Sequence, residues 1–231
     1  MKNTQYKPGA GPVSRIIAAA FILLIIAWPF LHIGKFPWTM PLLALLLTVL
    51  FLLPGWGLKA AGWNFSGKPG SVVRTILLAF LVTELSFDLV LQPFVSWLFD
   101  EPADYSVFDR LQGNTALLAK YILYTWLSAA LAEELIYRGA LTSLLLRTGL
   151  PANLALVAQA LLFASAHFYQ GWSGMAITFL FGLAFGIIYR WSGKQVYIVV
   201  LVHGLIDSLF LLLAYTGHLN WYADPFSILF T

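Results

Sequence analysis

Long apolar runs separated by short polar stretches set the pattern of this chain. About 20 helical residues cross a ~30 Å hydrocarbon core, and runs approaching or exceeding that length recur at approximately 16–33, 40–58, 73–98, 116–146, 151–167, 174–191 and 196–216. The pattern predicts an all-α, polytopic transmembrane helical bundle of about seven spans, or eight, forming a single membrane domain over 1–231. The apolar stretch from Trp221 to Phe230 is too short to cross and is expected at an interface or packed on the bundle. Lys2, Lys7 and Arg15 precede the first run as they would in a signal peptide. That run outlasts a signal-peptide core, however, and no small-residue cleavage pattern follows it, so a retained first span is expected.

Composition agrees with the pattern and narrows the function classes. The 231 residues are 60% hydrophobic and 10% charged, where a soluble domain is roughly 45–50% apolar and 25% charged. Lipid must therefore be the solvent for most of the chain. The net charge is only +3 and the basic residues form no stripe, which argues against nucleic acid as a partner. Cysteine is absent, which excludes disulfides, thiolate zinc sites and a cysteine nucleophile and leaves His, Asp and Glu as the only strong metal ligands.

Basic residues are unevenly distributed between the two sets of connections. With the N-terminus cytoplasmic, the inner segments hold Lys2, Lys7, Arg15, Lys59, Lys68, Arg74, Arg147, Arg190 and Lys194, against Lys35, Arg110 and Lys120 outside. The positive-inside rule favours this orientation, in a multi-pass protein expected in the plasma membrane.

Charge inside the spans is costly, at least ~2.5–3.5 kcal/mol per ionisable side chain at a helix centre, so each one is a functional hypothesis. Such residues here are Glu84 and Asp88 in the third run, Glu133, Glu134 and Arg138 in the fourth, His167 ending the fifth, and His203 and Asp207 in the seventh. Glu134 and Arg138 stand at i and i+4 in the favourable order for a helical ion pair, an arrangement that a structural clasp between helices explains equally well. Glu133 has no such partner nearby in sequence, and an unpaired carboxyl in a low-dielectric site is suited to general acid–base work. His203 and Asp207 also share one helix face, so the acid can orient or adjoin the imidazole. At ~1.5 Å per residue, ordinary tilts allow all of these groups to meet at mid-membrane depth.

The ordered set Glu-Glu-x-x-x-Arg, Phe-x-x-x-His and His-x-x-x-Asp, carried by Glu133, Glu134, Arg138, Phe163, His167, His203 and Asp207, resembles the CPBP family. These are the CAAX-protease and bacteriocin-processing (Abi) intramembrane endopeptidases. The resemblance covers about residues 115–216, as a catalytic core. It implies hydrolysis of a peptide bond in a membrane-associated or lipidated protein or a leader peptide, with Glu133 and His167 activating a water. It further implies that Glu134 and Arg138 fix the helix and position the substrate, and that His203 and residue 207 face the oxyanion. Position 207 is Asp, where some members have Asn. Either a protonated Asp207 donates to the oxyanion, or Asp207 orients His203.

Other readings stay open at this point. A metal-free mechanism with no cofactor is favoured, and zinc on Glu133, His167, His203 and Asp207 is the alternative. Gly171-Trp172-Ser173-Gly174 fits a rhomboid-like serine motif but leaves Glu133, Glu134 and Arg138 without a role. In another class, Glu84, Asp88, Glu133 and Lys120 form a proton or cation path in a transporter, or the chain is a catalytically silent membrane scaffold or immunity protein. The expected partners are a peptide or protein substrate at the membrane and membrane lipid.

Overall fold

The computed structural model describes residues 11–31, 33–101 and 105–219, so the expectation for Trp221 to Phe230 and the basic residues Lys2 and Lys7 lie outside the described residues. Every regular element among the described residues is helical. In chain order the α-helices are α1 (Pro12–Ala27), α2 (Thr39–Leu52), α3 (Pro69–Ser86), α4 (Gln92–Phe99), α5 (Thr115–Thr125), α6 (Thr142–Arg147), α7 (Ala152–Ser165), α8 (Gly171–Trp191) and α9 (Val196–Thr216). Local chemistry sets several ends. Proline occupies the first turn of α1, α3 and α4, where its missing N–H costs nothing. The Asn114 side chain caps α5 through Leu117 N at 3.0 Å, and Gly217 closes α9 in the left-handed conformation.

Five helical runs are long and apolar enough to cross a membrane: Pro12–Phe30, Pro69–Phe99, Thr115–Arg147, Phe168–Trp191 and Val196–Thr216. The other two expected spans differ from the sequence reading. Helix α2 stops at Leu52, because Pro54 and Gly55 end it before the apolar run is over, and α7 has 14 residues. These two are apolar helices below spanning length. Large apolar side chains such as Leu45, Leu81, Val82 and Leu161 point outward, each at least 50% exposed. That is the inverted surface expected when the solvent is lipid.

The runs containing α3 and α5 are not uniform α-helices. A π-helical segment, Phe87–Leu91, joins α3 to α4, and a longer one, Trp126–Leu141, joins α5 to α6. Thr142 Oγ1 donates to the Tyr137 carbonyl at 3.0 Å. Segments of this type are rare and frequently mark functional sites. This one carries Glu133, Glu134 and Arg138.

Three apolar clusters surround that segment. One joins α1, α2, α6 and α7 to it, a second joins α3, α8 and α9, and a third packs α5 against the outer part of α9. Two glycines allow the close approaches. A Cβ on Gly139 would lie 2.5 Å from the Ala61 carbonyl oxygen, and one on Gly204 would lie 2.6 Å from the Trp126 ring. Beside the latter contact, Trp126 Nε1 donates to Ser208 Oγ at 3.0 Å, which fixes the part of α9 that follows His203 against the π-helical segment.

Inter-helix hydrogen bonds divide the bundle into two ends. At one end Arg147 reaches the carbonyls of Gly55 and Trp56 and the Ser14 hydroxyl, Asn64 donates to Gly193, and Arg190 donates to Asn153. At the other end Gly113 N donates to the Tyr215 carbonyl, and Ser173 N donates to Glu101 Oε2 at 2.9 Å. Glu101 thereby caps the start of α8, directly after the turn that follows His167, an interaction that sequence spacing does not reveal.

Candidate active site

The three apolar clusters meet at a cavity of about 480 Å³, to which they contribute Phe163, Phe185 and Leu211 respectively. All seven side chains of the three sequence motifs line it: Glu133, Glu134, Arg138, Phe163, His167, His203 and Asp207. Phe36, Tyr105, Phe108 and Tyr169, from connections at the end that carries Glu101, complete its wall. The cavity is therefore reached from the end opposite Arg147 and Arg190.

Its floor is an ionic cluster centred on a pair with almost no solvent contact. Arg138 Nη1 lies 3.0 Å from Glu134 Oε1, with side-chain exposures of 1% and 0%. The distance makes a charge pair, although the angles leave Nη1 and Nε of Arg138 and Oε2 of Glu134 without a hydrogen-bond partner among the described residues. The same Glu134 Oε1 lies 2.9 Å from His203 Nδ1. A carboxylate can only accept there, so Nδ1 carries the hydrogen. His203 Nε2 lies 3.4 Å from Asp207 Oδ2. The intrahelical pairs expected at 134/138 and 203/207 are thus both present, and a third contact, Glu134 to His203, joins the two helices.

Aromatic rings hold the cluster. The Arg138 guanidinium carbon sits 4.3 Å from the Phe163 ring centre and 5.4 Å from that of Phe185, within cation–π range. Phe163 also meets His167 edge-on at 4.8 Å, and Phe185 meets His203 edge-on at 5.3 Å. Phe163 is therefore a shelf between the guanidinium and one imidazole, and Phe185 performs the same service for the other. Phe185 escaped the sequence reading, since nothing local distinguishes it among the 18 phenylalanines.

Glu133 and His167 present their free atoms differently. Glu133 has no hydrogen-bond or ion-pair partner among the described residues and faces the cavity. His167 Nδ1 lies 2.8 Å from the Phe163 carbonyl; a carbonyl accepts only, so the hydrogen sits on Nδ1 and Nε2 is left as the acceptor. Tyr105 stands at the wall with its phenol pushed up to about 12 by burial and by Asp88, which keeps it a hydrogen-bond donor at neutral pH.

The remaining sequence candidates separate from this site. Ser173 is buried, its backbone is tied to Glu101, and it does not line the cavity. Glu84 and Asp88 hydrogen-bond each other and do not line it either. Lys120 lies over the Tyr124 ring at 5.5 Å. Among the described residues no three His, Asp or Glu side chains converge as metal ligands.

The described residues thus form an all-helical fold with membrane-length apolar helices and a carboxylate–guanidinium–imidazole cluster at an aromatic cavity. Residues 115–209 match the family model described as type II CAAX prenyl endopeptidase Rce1-like. That segment, less than half of the chain, is similar to the CAAX-protease family. No curated protein and no solved structure gives a match.

Proposed function

We propose that this protein is an intramembrane endopeptidase that hydrolyses a peptide bond with a water activated by Glu133 and His167. The arrangement that carries this reading is a carboxylate without a hydrogen-bonding partner, Glu133, in the same cavity as an imidazole with a free acceptor nitrogen, His167. Glu133 takes a proton from water while His167 Nε2 accepts a hydrogen bond from the hydrogen that stays on the oxygen. The hydroxide oxygen bonds to the substrate carbonyl carbon, whose oxygen takes up the negative charge. Collapse of that intermediate breaks the C–N bond, and Glu133 returns the proton to the leaving amine.

In this reading His203, as an imidazolium with a hydrogen on each nitrogen between Glu134 and Asp207, is the oxyanion donor, and Glu134 with Arg138 positions it. Glu134 holds Nδ1 at 2.9 Å, which turns Nε2 toward Asp207 and the cavity. The role of orienting the ring thus falls to Glu134, and Asp207 adjoins the donating nitrogen. His203→Ala removes a preorganised donor and is expected to lower kcat by roughly 10²–10³. Asp207→Asn keeps turnover near the wild-type value, because the amide adds a donor. Equal losses in the two variants would show instead that the Asp207 carboxyl itself is required.

The aromatic cavity suits an apolar or lipid-modified segment, and the family adds prenylated C-terminal peptides to the substrates to try. The short helices α2 and α7 complete a seven-pass path with the ends of the bundle alternating. The basic end, carrying Arg15, Lys59, Lys68, Arg74, Arg147, Arg190 and Lys194, is cytoplasmic in this reading, in the plasma membrane. The test is purified protein in liposomes with prenylated and unprenylated peptides, products being read by mass spectrometry. Cleavage of at least one peptide is expected. Absence of cleavage together with a proton or cation flux that requires Glu84 or Asp88 would establish a transporter instead.

A further inference from the structure

Contacts between the connections sort the basic residues by end of the bundle, whatever the number of spans. Arg147 Nη1 donates to Ser14 Oγ, Asn64 donates to the Gly193 carbonyl at 3.2 Å, and Ser66 N donates to Gln195 Oε1 at 3.0 Å. The start of α1, the connection from α2 to α3, the end of α6 and the connection from α8 to α9 therefore share one end. At the other end Phe36 meets Tyr124 edge-on at 5.6 Å, and Gly113 N donates to the Tyr215 carbonyl at 3.0 Å. Outside the catalytic cluster, seven of the described lysines and arginines lie at the first end, whereas Lys35, Arg110 and Lys120 lie at the second. A bias of this size in short connections places the first end in the cytoplasm.

The catalytic cavity faces away from that end. Leu141 and Leu144 follow Arg138 towards the basic end, and Ile198, Val199 and Val202 precede His203 on the same side, each at most 2% exposed. Packing among the described residues thus closes the floor. The opposite wall is formed by Phe36, Tyr105, Phe108 and Tyr169. Phe36 and Tyr169 are themselves exposed, as is Trp172 at the start of α8, and aromatic side chains so placed mark the level of the lipid headgroups. Asp207 lies ten residues before Gly217, at the far end of α9, which is a depth of about 15 Å at ~1.5 Å per residue. An extended chain covers that distance with about five residues at ~3.3 Å each.

We propose that the catalytic cavity opens on the non-cytoplasmic side of the membrane and takes an extended segment of an exported, membrane-anchored chain through its aromatic mouth. The nature of the substrate rests on the peptidase reading, whereas the side of opening rests on charge placement and packing alone. A cytoplasmic chain end would meet the closed, basic end of the bundle.

Because the chain has no cysteine, single cysteines report sidedness without background. Asp109→Cys places one at the mouth end and Ser66→Cys one at the basic end, both at exposed positions. In intact bacterial spheroplasts expressing the full chain, a membrane-impermeant maleimide is expected to label Asp109→Cys directly and Ser66→Cys only after permeabilisation. The reverse pattern, or equal labelling of both variants before permeabilisation, would overturn the proposal. A second arm uses a peptide that wild type cleaves in liposomes, joined by a flexible linker to a single-span anchor and displayed on either face of the same membrane. Cleavage of the outward-facing copy alone is expected. Cleavage of the inward-facing copy, alone or as fast as the outward one, would overturn the proposal while upholding the peptidase. Cleavage of neither copy would count against the peptidase reading, and the labelling pattern would still decide on which side the cavity opens.

Discussion

Replacing Glu133 with Gln is expected to lower kcat by roughly 10²–10⁴, the range supplied by a positioned general base, while the protein folds and binds substrate as before. The geometry separates these effects. Glu133 faces the cavity and has no hydrogen-bond or ion-pair partner among the described residues, so an isosteric neutral side chain breaks no such contact and removes a charge from a low-dielectric site. Stability in detergent should therefore be unchanged or increased. The kinetic loss should appear in kcat with KM nearly constant, because the base acts on water and not on the bound peptide. A variant that cleaves at the wild-type rate would leave the water without its assigned base.

Arg138→Met has the opposite signature. It removes the guanidinium beside Glu134, a carboxylate with 0% exposure, and from between Phe163 and Phe185. Breaking one side of a buried pair costs roughly 3–5 kcal/mol, because the partner's charge is left without compensation. Thermal unfolding in detergent should show a large loss for the single variant. The double variant Glu134→Gln with Arg138→Met should recover most of it, since neither charge remains, and the coupling between the two changes measures the pair. Activity should not recover, because His203 then lacks the carboxylate at Nδ1 that sets its ring. A double variant as unstable as the single one would mean that the guanidinium contributes through ring packing alone.

The parts of this site that were legible in sequence are those whose partners share a helix. Glu134 with Arg138, and His203 with Asp207, are four residues apart, and helical spacing alone brings them together. The contact between Glu134 and His203 was not legible, because it joins positions 69 residues apart and depends on how α9 lies against the π-helical segment. That approach requires Gly204 to fit against the Trp126 ring, and a glycine in an apolar run does not announce its neighbour. The π-helical character of Trp126–Leu141 was equally hidden, since hydrophobic pattern distinguishes poorly between i+4 and i+5 closure. The early end of α2 was signalled by Pro54 and Gly55, and apolar run length outweighed that signal. Glu101 illustrates a different limit. As an acidic residue in a polar connection it resembled ordinary loop charge, yet it caps α8 beside the turn that follows His167.

The class of fold was readable because it follows from solvent alone. A chain with 10% charged residues cannot cover itself against water, whereas the placement of the few buried charges depends on tertiary packing. Low charge density identified the membrane, and carboxylates and imidazoles converge on one aromatic cavity.

The central claim is that Glu133 and His167 activate the water that cleaves a peptide bond. Its most direct test compares wild type with Glu133→Gln, His167→Ala and Ser173→Ala under single-turnover conditions, in one liposome preparation and on a peptide that wild type cleaves. The account predicts product from wild type and Ser173→Ala, and essentially none from Glu133→Gln and His167→Ala, although both still bind the peptide. Cleavage retained in Glu133→Gln and lost in Ser173→Ala would contradict it.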